Sequence, residues 1–446
     1  MAQRLVVVLA ALFTLHAVAG AADWPQWLGA NRDGVWLEEG ILEKFPEGGP
    51  KVVWRTPLGG GYSGPAVAGG KVFVMDRRVE RDAAKPQNDF DRQTVIKGYE
   101  RVVCLNEADG QVIWTHEYPC DYRISYQSGP RCTPTVDGDR VYCLGAMGDL
   151  HCLSAVDGRV LWSKNFIKDY GQEPAVWGWS AHPLVDGDRL ICIVGGEGTT
   201  AVAFDKMTGK ELWRALSAKD PGYAPPVIFT IDGVRHLLIW TPRELAALVP
   251  ESGKLLWSVP FESRQGLSIP TPRLIGGNKV FVTAFYNGPL LVEVTGGATP
   301  RAEVVWKGTS QSEMRTDKLH AIMCTPYSDG EFIYGVCSYG QLRCLKVADG
   351  TRVWETFKAT TAGRPVRWAN AFLTPQAGRY FLFNEKGELI IARLTAEGYD
   401  EIDRAKLIEP TSVTAGRDYV WTHPAFANKR IFVRNDQEIA CFSLAK

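Results

Sequence analysis

Three of the six histidines beyond residue 22, His182, His320 and His423, fall within the six residues that precede a recurring proline, where chance would place fewer than one. An imidazole at the end of a loop can bind a metal, relay a proton or bond a polar ligand. Arg131, Trp177, Trp179, Tyr223, Asn370 and Trp421 stand in the same windows, and Tyr126 and Trp368 lie just outside them. Aromatic faces mixed with a few hydrogen-bonding groups suit a small polar or sugar-like ligand, or a peptide. In that reading the rings are stacking platforms, and Arg131, Asn370 and the histidines are polar anchors. The competing reading is structural: the rings plug a channel by packing on one another, and a His before Pro bonds a neighbouring strand end.

Other chemistry is thinner. Glu313, Asp317 and His320 lie close enough in sequence to be drawn as a metal site. Calcium needs six or more oxygens and zinc three or four preset ligands, so a solvated loop is the better reading and no metal is expected. The chain has no Gly-x-Ser-x-Gly elbow, no His-Glu-x-x-His and no phosphate-binding Gly-Lys-Ser/Thr loop. Catalytic residues therefore stay unassigned. Ten cysteines invite a disulfide reading. Cys104, Cys152 and Cys344 nevertheless occupy a repeat position that Ala203 and Ala247 fill elsewhere, which favours buried packing thiols. Two pairs stay open: Cys143 with Cys152, if Met147-Gly148 centres their hairpin, and Cys120 with Cys132, which flank one loop.

The elements that must position these residues repeat eight times. Prolines 65, 134, 183, 226, 272, 326, 375 and 424 each begin a short apolar strand, most of them followed by a tight Gly turn, at a spacing of about 49 residues. Most units end in an Asp-Gly, Thr-Gly or Ser-Gly turn and a strand closed by Trp114, Trp162, Trp213, Trp257 or Trp354, with Trp306 in a shortened version. Four short strands at this period make a propeller blade, so the fold class is all-β: one eight-bladed β-propeller over residues 51–446. The last unit lacks its Trp strand, and Lys51–Trp54 supplies one, so this N-terminal strand is expected to complete the last blade. Residues 23–50 are expected to wrap the outside, anchored by Trp24, Trp27 and Trp36. The loops entering each innermost strand converge on the channel mouth, which is the expected working surface. His182 and His423 belong to blades three and eight, so a shared metal is not expected.

Fifty Lys and Arg cancel fifty Asp and Glu, which argues against nucleic acid as a partner. Fifteen Trp, 45 Gly and 45% hydrophobic residues exclude disorder and argue against an all-α chain. Residues 1–22 combine a basic start, an apolar run and small residues at Ala19-Gly20-Ala21-Ala22, the pattern of a secretory signal peptide. A monomer without a membrane span after cleavage is expected, exported to the periplasm, the cell surface or beyond.

The Ala/Cys-x-x-x-x-Thr/Asp-Gly-Lys-x-x-Trp ending resembles the tryptophan-docking repeat of pyrroloquinoline quinone (PQQ)-type propellers, which include the quinoprotein alcohol dehydrogenases and the BamB assembly factor. The opening Asp23–Gly34 and the tail from Arg367 are similar to secreted PQQ-like repeat proteins of planctomycete type. The resemblance implies an exported, non-catalytic binding or scaffold propeller without cofactor. An envelope assembly partner like BamB is a related reading. The alternative it implies is a PQQ-dependent dehydrogenase acting on alcohols or sugars, with calcium, a base carboxylate and often two adjacent cysteines. No two cysteines are adjacent here, and no Cys-x-x-Cys-His is present for a covalent haem.

Overall fold

Short apolar strands separated by tight Gly turns pair most readily with their immediate neighbours in the chain. In the computed structural model, which describes residues 22–446, they do so in eight four-stranded antiparallel sheets. The signal peptide expected over residues 1–22 lies, apart from Ala22, outside the described residues. Blades one to seven span 66–119, 135–165, 184–215, 227–260, 273–307, 327–356 and 371–406. Blade eight combines 425–443 with the strand Val52–Pro57, which pairs with Glu438–Ser443 and sets Trp54 opposite Cys441. The ring closes as the repeat implied.

Seven of the eight prolines stand just before the innermost strand, and Pro375 lies inside its own. Proline carries no N–H, and the innermost strand is a sheet edge that can spare one. At the outer side each marker tryptophan stands opposite a small or apolar residue of the third strand: Cys104, Cys152, Ala203, Ala247, Leu291 and Cys344 for Trp114 to Trp354. Its indole then crosses to the next blade. Six of the seven indole N–H groups donate to a main-chain carbonyl there: Trp54 to Glu107 (2.8 Å), Trp114 to Ala155 (3.3 Å), Trp162 to Lys206 (3.0 Å), Trp213 to Pro250 (3.1 Å), Trp306 to Val347 (2.8 Å) and Trp354 to Thr395 (2.7 Å). For five of these six, all but Trp354, the turn glycine of the next blade lies beneath the ring. A Cβ at Gly158 would come within 2.5 Å of Trp114, and the glycine also holds φ +73°. Trp257 is the exception: blade five offers Gly296-Gly297 in place of the usual turn, and the indole N–H has no partner.

The N-terminal segment does not wrap the outside. Trp24 exchanges two 2.8 Å backbone bonds with Val67 on the innermost strand of blade one, and the Pro25 carbonyl accepts from Val136 of blade two. Arg32 donates to the carbonyls of His182 and Pro183 in blade three (3.0 Å each), and Trp36 N–H to Pro375 in blade seven (3.0 Å). The chain enters beside the Gly69 turn, reverses at Leu28-Gly29 and returns past Glu38, whose carbonyl accepts from Gln376. It is an axial hairpin inside the channel. Innermost strand edges present unpaired backbone groups, and a segment that pairs with them gains more than one lying on an already satisfied outer surface.

All ten cysteines are buried free thiols. The hairpin joining the second and third strands of blade two turns over residues 145–148, so Cys143 pairs with His151 and Cys152 with Tyr142. A register offset of one residue points Cys143 and Cys152 to opposite faces, into different core clusters. Cys120 and Cys132 are likewise buried in separate clusters.

Candidate functional site at the channel mouth

Opposite the end where the hairpin enters, the segments leading into the innermost strands meet the loops between second and third strands. They enclose a cavity of about 440 Å³. Its floor is Trp27, at the tip of the axial hairpin. The indole stacks on His182 (centroids 4.0 Å, planes 9° apart), tilts against His423 (4.7 Å) and donates to Thr271 Oγ1 (2.9 Å). His182 and His423, expected to stand apart across the ring, are thus bridged by one side chain. Thr133 N–H donates to His182 Nδ1 (2.8 Å), which leaves the proton on Nε2. His423 Nδ1 faces the Pro424 carbonyl (2.7 Å) and must carry its proton there. Burial keeps both rings neutral, lowering His182 well below its usual range and His423 to about 4.

The walls are aromatic. Tyr62, Tyr126, Trp177, Tyr223, Phe285, Tyr286, Trp368, Phe372 and Trp421 line them, and Phe90 overhangs from the polar insertion of blade one. Phe90 is half exposed and meets Tyr126 edge-on at 5.4 Å. Trp421 stacks on Tyr419 at 3.8 Å and donates to Glu385 (3.1 Å). Tyr126, Trp368 and Gln265 hold positive φ (55°, 65° and 62°), a conformation that costs a residue with a side chain energy.

Charge at the mouth has one sign. The lining includes Arg131 and Arg367 and no Asp or Glu. Arg367 is paired with Glu313 (2.7 Å) behind the wall and covers Trp368. Arg131 donates to the carbonyls of Gly129, Ser125 and Tyr126 and lies 5.2 Å from the Tyr62 ring centre. The Tyr223 hydroxyl is buried, with the Trp177 backbone N–H approaching its oxygen and no acceptor for its proton.

Six of the nine candidate residues come together here: Tyr126, Arg131, His182, Trp368, Trp421 and His423. Three do not. Trp179 is buried in the core between blades two and three and donates to Val194 (2.9 Å), while Trp177 takes the wall position. Gly178, at φ +68°, turns the chain between them, and no sequence window could choose one over the other. His320 is fully buried behind the wall, with its ring nitrogens on the Phe285 carbonyl (3.1 Å) and Asp317 (3.0 Å). It therefore braces the Phe285-Tyr286 loop and is not solvated. Asn370 lies behind Met323, with Nδ2 3.9 Å from the sulfur. Glu313 serves Tyr339 and Arg367, away from His320. Among the described residues no three His, Cys, Asp or Glu are placed to hold a metal.

Sequence reasoning missed Trp27, Phe90, Phe285, Tyr286, Tyr62 and Arg367. Phe90 carried a signal, a lone large apolar residue in the polar stretch 80–94. Phe285 and Tyr286 did too, because the loops between second and third strands open on the same face as the entry loops. A calcium-bound quinone does not fit this lining, which offers the cation no carboxylate.

The architecture defines a class, the tryptophan-docked eight-bladed β-propeller, here with its axis plugged and one mouth open. Within that class, residues 98–356 match the family model described as outer membrane protein assembly factor BamB, and the chain belongs to that family. Among solved structures it is similar to BamB from Moraxella catarrhalis, at 15% identity and TM-score 0.52, covering 87% of this chain and 97% of that one. The computationally designed Ika8 protein aligns at 11% identity and TM-score 0.52 over 88% of this chain and 99% of its own. Quinohemoprotein alcohol dehydrogenase from Comamonas testosteroni aligns at 11% identity and TM-score 0.43, over 95% and 80%. At these identities the likeness is one of fold. No curated protein matches the chain in sequence. Among the described residues no helix is long and apolar enough to cross a membrane.

Proposed function

We propose that this propeller is a non-catalytic, exported binding module of the cell envelope that takes a small ligand, or the side chain of a partner, into the mouth pocket. One observation carries the reading: the channel is closed from below by a ring-stacked indole, which turns an open pore into a blind, aromatic-walled cavity. Blind cavities with aromatic walls and a few fixed polar groups are what small-molecule sites look like. The positive φ angles at Tyr126 and Trp368 support it, since such strain persists where the surroundings enforce it. Dehydrogenase chemistry has no matching support in this lining.

Saturation-transfer NMR against sugars, aromatic acids, amines and short peptides tests the reading, with Trp421→Ala as control. Hits that vanish in the variant while its melting temperature holds support the pocket. Hits that survive place binding elsewhere. Dye-linked turnover of alcohols on adding PQQ and calcium overturns the non-catalytic reading.

A further inference from the structure

Resting on the mouth pocket as the binding site, we infer that its ligand is a small carboxylate with a flat, aromatic body, held by the Arg131 guanidinium and the Tyr223 hydroxyl. The aromatic walls enclose about 440 Å³, room for a body of one or two rings and little more, and their open faces favour stacking. The acid group follows from what the walls lack. Arg131 has no carboxylate among its contacts, which are three main-chain carbonyls that fix its position without neutralising its charge. Arg367, the other cation of the lining, already has Glu313. A cation fixed against apolar walls with no counter-ion attracts an anion strongly, because little water intervenes to screen it.

The second observation is independent. Tyr223 lines the same cavity and is 3% exposed; the Trp177 backbone N–H approaches its oxygen, and the hydroxyl proton has no acceptor. A buried, unsatisfied hydroxyl is uncommon and invites an acceptor from a ligand. Burial pushes its ionisation well upward, with Asp220 nearby adding to the effect and the Trp177 backbone N–H and Arg131 opposing it, so it stays a donor at any physiological pH. Both groups line the cavity, and each donates to a carboxylate. An ammonium ligand would face Arg131 with like charge.

Isothermal titration of the full chain with indole-3-acetate, indole-3-acetamide and tryptamine separates the terms. These probes share one ring system and differ in charge. Indole-3-acetate should bind about tenfold tighter than the amide, the gain expected of charge-assisted hydrogen bonds, and tryptamine should not bind. Arg131→Gln should bring acid and amide level. Tyr223→Phe, which removes the hydroxyl donor, should weaken the acid about threefold while leaving the amide nearly unchanged. It serves as the check should Arg131→Gln loosen its loop. Equal binding of acid and amide, both abolished in Trp421→Ala, overturns the carboxylate inference and leaves the pocket reading standing. No binding by any of the three, or binding untouched by Trp421→Ala, overturns both.

Discussion

The outer girdle and the mouth of this propeller are both built on tryptophan, and they use it in opposite ways. In the girdle the indole N–H groups of Trp54, Trp114, Trp162, Trp213, Trp306 and Trp354 all reach main-chain carbonyls of the next blade. At the mouth, Trp27 and Trp421 reach side chains, Thr271 and Glu385. Main-chain acceptors are present in every blade whatever its sequence, so the girdle repeats. Side-chain acceptors differ from loop to loop, so the mouth is specific to this chain. Stability is thus concentrated in the repeating part, and recognition is free to occupy the part that does not repeat.

The sharpest way to break that contrast is to remove one ring from each region. Trp114→Ala should lose roughly 3–5 kcal/mol in chemical denaturation, as a large aromatic is deleted from a packed blade junction. Trp179→Ala belongs with it despite its place beside the mouth loops, because that ring is core. Trp421→Ala should stay within about 1 kcal/mol of the parent, its effect falling on ligand binding. Comparable losses for Trp114 and Trp421 would make the mouth a structural plug.

Acid should act next, through buried histidines at the axis and between blades. Burial lowers His423 to about 4 and His182 well below 6.5. His151, at the junction of blades one and two, is lowered to about 4 by burial with His116 adding to it. A depressed histidine favours the folded state fully above the unfolded value of 6.5 and loses that contribution as pH falls toward 4. Asp149 has the opposite sign: burial lifts it to about 6 from 3.8, so it favours folding as pH drops through that window. Near pH 5 these four groups alone take up about two protons on unfolding, and His116, His236 and His320, also lowered by burial, add to the uptake while Asp220 and Glu107, raised by burial, oppose it. Melting temperatures that are flat between pH 6.5 and 4.5 would contradict this.

A smaller test sharpens the girdle itself. Trp162→Phe removes a 3.0 Å hydrogen bond to Lys206 and should lose about 1 kcal/mol, whereas Trp257→Phe removes an N–H that has no partner and should be near neutral. Equal losses would mean that the girdle acts by packing alone.

What the sequence determined by itself is the ring. Its signals are local and repeated: a proline that begins an edge strand, a glycine turn of fixed hand, and a tryptophan ten residues beyond a small residue with which it pairs. Each of these acts through neighbours in the chain, so reading one blade reads nearly all, and even the closing strand at Val52–Pro57 is legible as the unit the last blade lacks. The tertiary structure decided the site. Trp27 reaches the mouth only because residues 23–36 find their backbone partners on blades far along the chain, including Val136, Pro183 and Pro375, and nothing local distinguishes a segment that lies inside a ring from one that lies around it. The same limit separated Trp177 from Trp179 and hid His320 behind its wall. Which way a loop side chain faces is settled by what packs against it from other blades, and that exists only once the ring has closed.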